Sequence, residues 1–79
     1  MKDIIELKEK LASIEHQRWA DWQKYVHSQC KGNDDGSLTI PNWAVTQWYR
    51  QILTPYKNLS EIEKDSDREQ VMRYWKLLK

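Results

Sequence analysis

Apolar side chains fall at Ile4, Leu7, Leu11 and Ile14 and then, after a step, at Trp19, Trp22 and Val26. Steps of three and four are the period of an amphipathic helix, and neither Gly nor Pro interrupts them. The pattern predicts a first helix from about Asp3 to about Gln29. Asp3 and Glu6 form a plausible capping pair at its start. Periodicity then stops. Residues 30–39 read Cys-Lys-Gly-Asn-Asp-Asp-Gly-Ser-Leu-Thr, a turn-forming cluster around Gly32 and Gly36. Asp35-Gly36 is a hairpin-type dipeptide, but only a short strand could follow it, so this stretch is expected to be an exposed loop with at most one short strand near 37–40.

Pro41 suits the first position of a second helix, where its missing N–H would have no partner anyway. Trp43, Val45, Trp48, Tyr49, Ile52 and Leu53 spread around much of the circumference, so a helix over 42–53 should be contacted on two sides. Thr54-Pro55 ends it, because Pro disfavours helix in the residue before it. Ser60 and Glu63 make a capping box for a third helix carrying Ile62, Val71, Met72, Trp75 and Leu78. The first two turns of that helix are polar, from Lys64 to Glu69, which fits either projection into solvent or the wall of a polar site. The expected architecture is all-α: one small domain over 1–79 with three main helices and no internal repeat.

Composition narrows the functional classes. Five Trp and four Tyr with no Phe mean that every six-membered aromatic ring comes with a polar handle. Most of these rings, Trp75 among them, are expected to be core mass. Thirteen basic against twelve acidic side chains leave a net charge of +1. This is not the basic excess of a protein that grips a long polyanion, so no long nucleic acid is expected as partner. The longest apolar runs are pairs such as Ile4-Ile5, far short of a membrane span. No secretory signal is read at Met1-Lys2-Asp3, and the single Cys30 can form no internal disulfide; a cytoplasmic setting is the expectation.

Candidate chemistry is sparse. If Gly36 took the invariant glycine position of a calcium loop, Lys31 would stand at the first ligand position and Asn42 at the twelfth, which defeats the site. His16, His27 and Cys30 lack metal-ligand spacing, and no nucleophile motif is present. No metal, no cofactor and no catalytic group is therefore assigned, and an enzyme acting on nucleotides would have no base beyond His16. His16 and Trp19 share one helical face; they read either as a half-buried core pair or as the wall of a pocket. Tyr56, after Pro55, packs back on the core or overhangs a cleft. Arg68 pairs with Glu61 or Asp65, or its guanidinium fork receives a phosphate or carboxylate.

These pieces carry a family resemblance. Leu11–Trp19 reads Leu-Ala-Ser-Ile-Glu-His-Gln-Arg-Trp; later come Leu53-Thr54-Pro55-Tyr56, Leu59-Ser60, Glu63-Lys64 and Asp67-Arg68. The order and separation resemble the ryanodine-receptor repeat domain over roughly residues 7–78, in its small stand-alone bacterial or phage type. The aromatic-Tyr-Gly-Pro turn usual after the first helix of receptor repeats is missing; His27-Ser28-Gln29-Cys30-Lys31-Gly32 stands there instead. The resemblance implies a compact helical unit that binds a small nucleotide or nucleotide-derived messenger without turning it over. It also implies a homodimer or higher homo-oligomer in a bacterial cell or phage-infected host, where a phage copy would sequester an immune signal. Carried over by position, the ligand residues would be His16, Trp19, Tyr56 and Arg68, with Asp67 either a contact or a structural partner. Trp22, Tyr25, Trp43 and Trp48 are not motif positions and enter only as rings near Trp19 that could complete a stacking platform, Trp22 being taken with the ligand residues. The rival is a protein-interaction module using the Trp-rich helix 42–53.

Overall fold

The structure, a computed structural model, describes residues 2–78. The order of elements is α1 (Lys2–Gln29), β1 (Lys31–Gly32), β2 (Leu38–Thr39), α2 (Asn42–Leu53), a single 3-10 turn (Tyr56–Asn58) and α3 (Glu61–Leu78). The protein is a small, mostly helical domain of three helices, as the hydrophobic period predicts. α1 has 28 residues, about 42 Å of helix at 1.5 Å per residue.

The boundaries follow local chemistry, with three departures from the sequence expectations. α1 is already helical at Lys2, so Asp3 lies inside its first turn, where its charge meets the positive end of the helix, rather than at a cap. Pro41 stands just outside α2, with φ −67° and ψ 153°, and its carbonyl accepts from the Ala44 and Val45 N–H groups at 3.0 and 3.1 Å. Residues 31–39 form a two-stranded antiparallel hairpin rather than a plain loop, with Lys31 opposite Thr39 and Gly32 opposite Leu38. The turn closes because Gly36 adopts φ 88°, a conformation costly for a side-chain-bearing residue. Asp35 Oδ1 accepts from the Ser37 N–H at 2.9 Å, and Asn33 Nδ2 donates to Ser37 Oγ and Thr39 Oγ1 at 3.0 Å each. Two residues per strand are too few to register as a periodic pattern in the sequence.

Thr54 leaves the helical region at φ −105°, ψ 117°, ending α2 ahead of Pro55. The capping box of α3 is complete: Glu63 N–H donates to Ser60 Oγ at 3.2 Å, and Ser60 N–H donates to Glu63 Oε1 at 3.2 Å. Ser60→Ala removes the acceptor for the Glu63 N–H, and a lost N-cap costs about 0.5–2 kcal/mol. A chemical-denaturation midpoint reduced with unchanged slope is the expected result.

Polar contacts tie the helices together. Tyr74 O–H donates to Glu15 Oε2 at 2.5 Å and Arg73 donates to Asp21 Oδ2 at 2.8 Å, joining α3 to α1. Glu63 accepts from Arg50 at 2.6 Å and from Gln51 at 2.5 Å, joining α3 to α2. Hydrogen bonds from Arg18 and then Tyr74 hold the Glu15 carboxyl down from 4.5 to about 2. Those from Arg50, Gln51 and Ser60 hold Glu63 down from 4.5 to about 2, and Arg73 and Gln17 lower Asp21. A carboxyl depressed in the folded state favours that state above its unfolded value, and this contribution is lost as pH falls through the folded value. Thermal melts by circular dichroism should show a falling midpoint between about pH 4.5 and 2. Glu63→Gln should flatten that fall.

The aromatic core expected from the composition does not form within the chain. Among the described residues only Ala44 is a fully buried apolar side chain, at 0% exposure, whereas Trp75 is 46% exposed. His16, expected half-buried in one of its two readings, is exposed. The reason is shape: the chain measures 49 × 35 × 16 Å with a radius of gyration of 16.3 Å, against about 12 Å for a compact domain of this length. Three helices laid out this openly cannot enclose large rings.

Candidate ligand cleft

The open arrangement leaves a cleft of about 830 Å³ between the helices. α1 contributes Trp22, Tyr25, Arg18 and Asp21; α2 contributes Gln47, Trp48, Gln51 and Ile52; α3 contributes Ile62, Glu63, Ser66, Asp67, Gln70 and Arg73. The helical period explains the sharing. Trp22 and Tyr25 are three apart on α1, and Gln47, Trp48 and Gln51 occupy one side of α2.

The rings in the cleft touch one another. Trp22 lies 5.4 Å from Tyr25 between centroids and 5.7 Å from Trp48, inclined at 31° and 59°. Trp43 meets Trp48 edge-on at 6.3 Å, extending the row behind it. Such tilted contacts are the favoured geometry of aromatic pairs and leave parts of the ring faces open. Trp22 is 44% exposed, so a flat ligand can reach it.

The polar lining is nearly balanced, with Asp21, Glu63 and Asp67 against Arg18 and Arg73. Arg73 is committed to Asp21, and Arg18 makes a two-pronged contact with Glu15 that raises its already high pKa. The side-chain amides of Gln47 and Gln70 bring both donors and acceptors to the lining. Among the described residues no three His, Cys, Asp or Glu side chains are grouped as metal ligands.

The residues singled out in the sequence are distributed over three places. Trp22 lines the cleft. His16 and Trp19 stack on each other at 6.1 Å and 27° on α1, outside the cleft lining. Tyr56 stands in the 3-10 turn with Lys64 Nζ 5.7 Å from its ring centroid. Arg68 donates to Asp65 at 2.7 Å and to Glu61 at 3.2 Å; these hydrogen bonds raise its pKa, and the neighbouring Tyr56 adds to the shift. Neither Tyr56 nor Arg68 lines the cleft. Asp67, beside Arg68 in sequence, does.

Sequence reasoning named Tyr25, Trp43 and Trp48 with Trp22 as rings that could complete a platform near Trp19. The structure instead gathers Tyr25 and Trp48 around Trp22, with Trp43 behind Trp48; the three glutamines beside them were passed over. The i, i+3 spacing of Trp22 and Tyr25 was an available signal. Trp48 had none, since its place beside Trp22 depends on how α2 returns after the hairpin. Comparison with family models gave no match, nor did searches of curated proteins and of solved structures. Among the described residues no helix is long and apolar enough to cross a membrane.

Proposed function

We propose that the domain binds a small nucleotide or nucleotide-derived molecule in the cleft and does not transform it. The observation that carries this is the Trp22–Tyr25–Trp48 cluster at the wall of the cleft, with Trp22 and Tyr25 exposed and Trp48 half-buried. Stacking of a base on such rings contributes about 1–3 kcal/mol by alanine substitution and tolerates any base. The amides of Gln47 and Gln70 supply donors and acceptors for base edges. Arg18 and Arg73 would meet a phosphate by exchanging their carboxylate partners, which costs little where both members of a pair are partly exposed. The resemblance of Leu11–Trp19, Pro55-Tyr56 and Asp67-Arg68 to the ryanodine-receptor repeat supports the same ligand class. In a phage-encoded copy, holding such a molecule without turnover would amount to sequestering a host signal. Isothermal titration of the folded chain against mono-, di- and cyclic nucleotides tests the reading; heat from none of them, with helical circular dichroism intact, refutes it.

A second reading rests on a different observation. On the side of α2 turned from the cleft, Val45, Tyr49 and Leu53 are exposed and line an open groove. That side of the helix is a protein-docking face.

A further inference from the structure

At 100° per residue, Val45, Tyr49 and Leu53 follow one another around α2 over an arc of about 80°, most of the width of a helix face that normally meets a core. Gln47, Trp48, Gln51 and Ile52, on the adjoining part of the circumference, line the cleft instead. The stripe borders a groove of about 590 Å³, and no part of α1 or α3 contributes to its lining. Tyr49 is 61% and Leu53 65% exposed.

Area indicates what covers it. The chain exposes 6805 Å², whereas a folded monomer of this mass exposes about 5,100 Å². The excess, roughly 1,700 Å², belongs to the open chain as a whole, cleft included, and is of the size, roughly 1,000–2,500 Å², that each member of an obligate homodimer buries. The radius of gyration of 16.3 Å exceeds even the roughly 15 Å of a compact body of twice this length. The stripe is also self-complementary. Val45 and Leu53 lie four residues either side of Tyr49, so an antiparallel pairing of two α2 helices sets apolar against apolar throughout. A net charge of +1 brings no strong repulsion between copies.

We infer that the occupant of this face is a second copy of the same chain. The contact is isologous, with α2 antiparallel to its counterpart, Tyr49 on the twofold axis and Val45 against Leu53 of the partner subunit. This rests on reading α2 as a docking face and adds its partner. Since the isolated chain buries so little, folding and association are coupled, and the melting temperature rises with protein concentration.

The test uses the full 79-residue chain in a Cys30→Ser background. A twofold axis through Tyr49 brings the two copies of that position within disulfide reach, so Tyr49→Cys should cross-link nearly completely under mild oxidation. Lys57→Cys, on the 3-10 turn, should do so at least tenfold less. Sedimentation equilibrium should give a dimer for the unsubstituted chain, and Tyr49→Glu should weaken it at least tenfold. A folded monomer at micromolar concentration overturns the second copy as occupant while leaving α2 open to another partner. A dimer in which Cys at 49 cross-links no better than Cys at 57 overturns both the pairing and the docking role of α2.

Discussion

Trp22→Ala is expected to weaken ligand binding roughly 5- to 150-fold, which corresponds to the loss of about 1–3 kcal/mol of stacking. Trp22 is the ring that Tyr25 and Trp48 both contact, so its removal opens the centre of the cluster rather than its edge. Trp48→Ala should act in the same direction, and the two substitutions together should fall short of additive because the rings share a neighbour. Titration with whichever nucleotide gives heat in the panel is the measurement. Arg68→Ala discriminates within the same experiment. Its guanidinium is held by Asp65 and Glu61 away from the cleft lining, so affinity should change by no more than about twofold, a surface ion pair being worth little. A loss at Arg68 equal to that at Trp22 would move the site from the cleft to the Tyr56–Arg68 side of α3.

Ala44→Leu should be the most damaging conservative substitution for stability. Ala44 is the one fully buried apolar side chain among the described residues, with 0% exposure. It sits in the first turn of α2, where its N–H donates to the Pro41 carbonyl. Extra methylenes at a filled position cost about 1–3 kcal/mol. In a domain of this size each kcal/mol lowers the melting temperature by roughly 4–8 °C, so a shift of order 10 °C is the expected reading from calorimetry. Ala44→Gly is the counterpart, placing a residue with about 1 kcal/mol lower helix propensity there without overfilling it. If Ala44→Leu leaves the melting temperature unchanged, the site has slack that the packing around Ala44 does not show.

Local signals made the helices legible. Three–four spacing from Ile4 to Ile14 and again from Trp19 to Val26, the Thr54-Pro55 stop and the Ser60/Glu63 box each act within a few residues, and each element appears where its signal stands. The hairpin escaped because two-residue strands carry no alternation to read, and its turn depends on side-chain hydrogen bonds among Asn33, Asp35 and Ser37. The exposure of Trp75 escaped for a different reason. An apolar stripe states that a face prefers cover, but not whether cover comes from the same chain.

The candidate cleft divides similarly. Trp22 was visible as one turn of an aromatic face that continues to Tyr25. Its meeting with Trp48, 26 positions later in the sequence, was not, because no local rule fixes the angle at which α2 returns beside α1. Arg68 looked equally suited to a ligand or to its acidic neighbours; in the structure Glu61 and Asp65 take it.

By itself, the sequence determined three helices, their stops and caps, a balanced charge and a surplus of rings with polar handles. These are properties of short segments, set by backbone geometry and side-chain chemistry within a turn or two. Tertiary structure alone decided that Trp22, Tyr25 and Trp48 gather at an open cleft instead of a closed core and that neither α1 nor α3 covers the outer stripe of α2. Both follow from how few large side chains three openly arranged helices can enclose, a quantity that depends on the relative placement of elements and on no single residue.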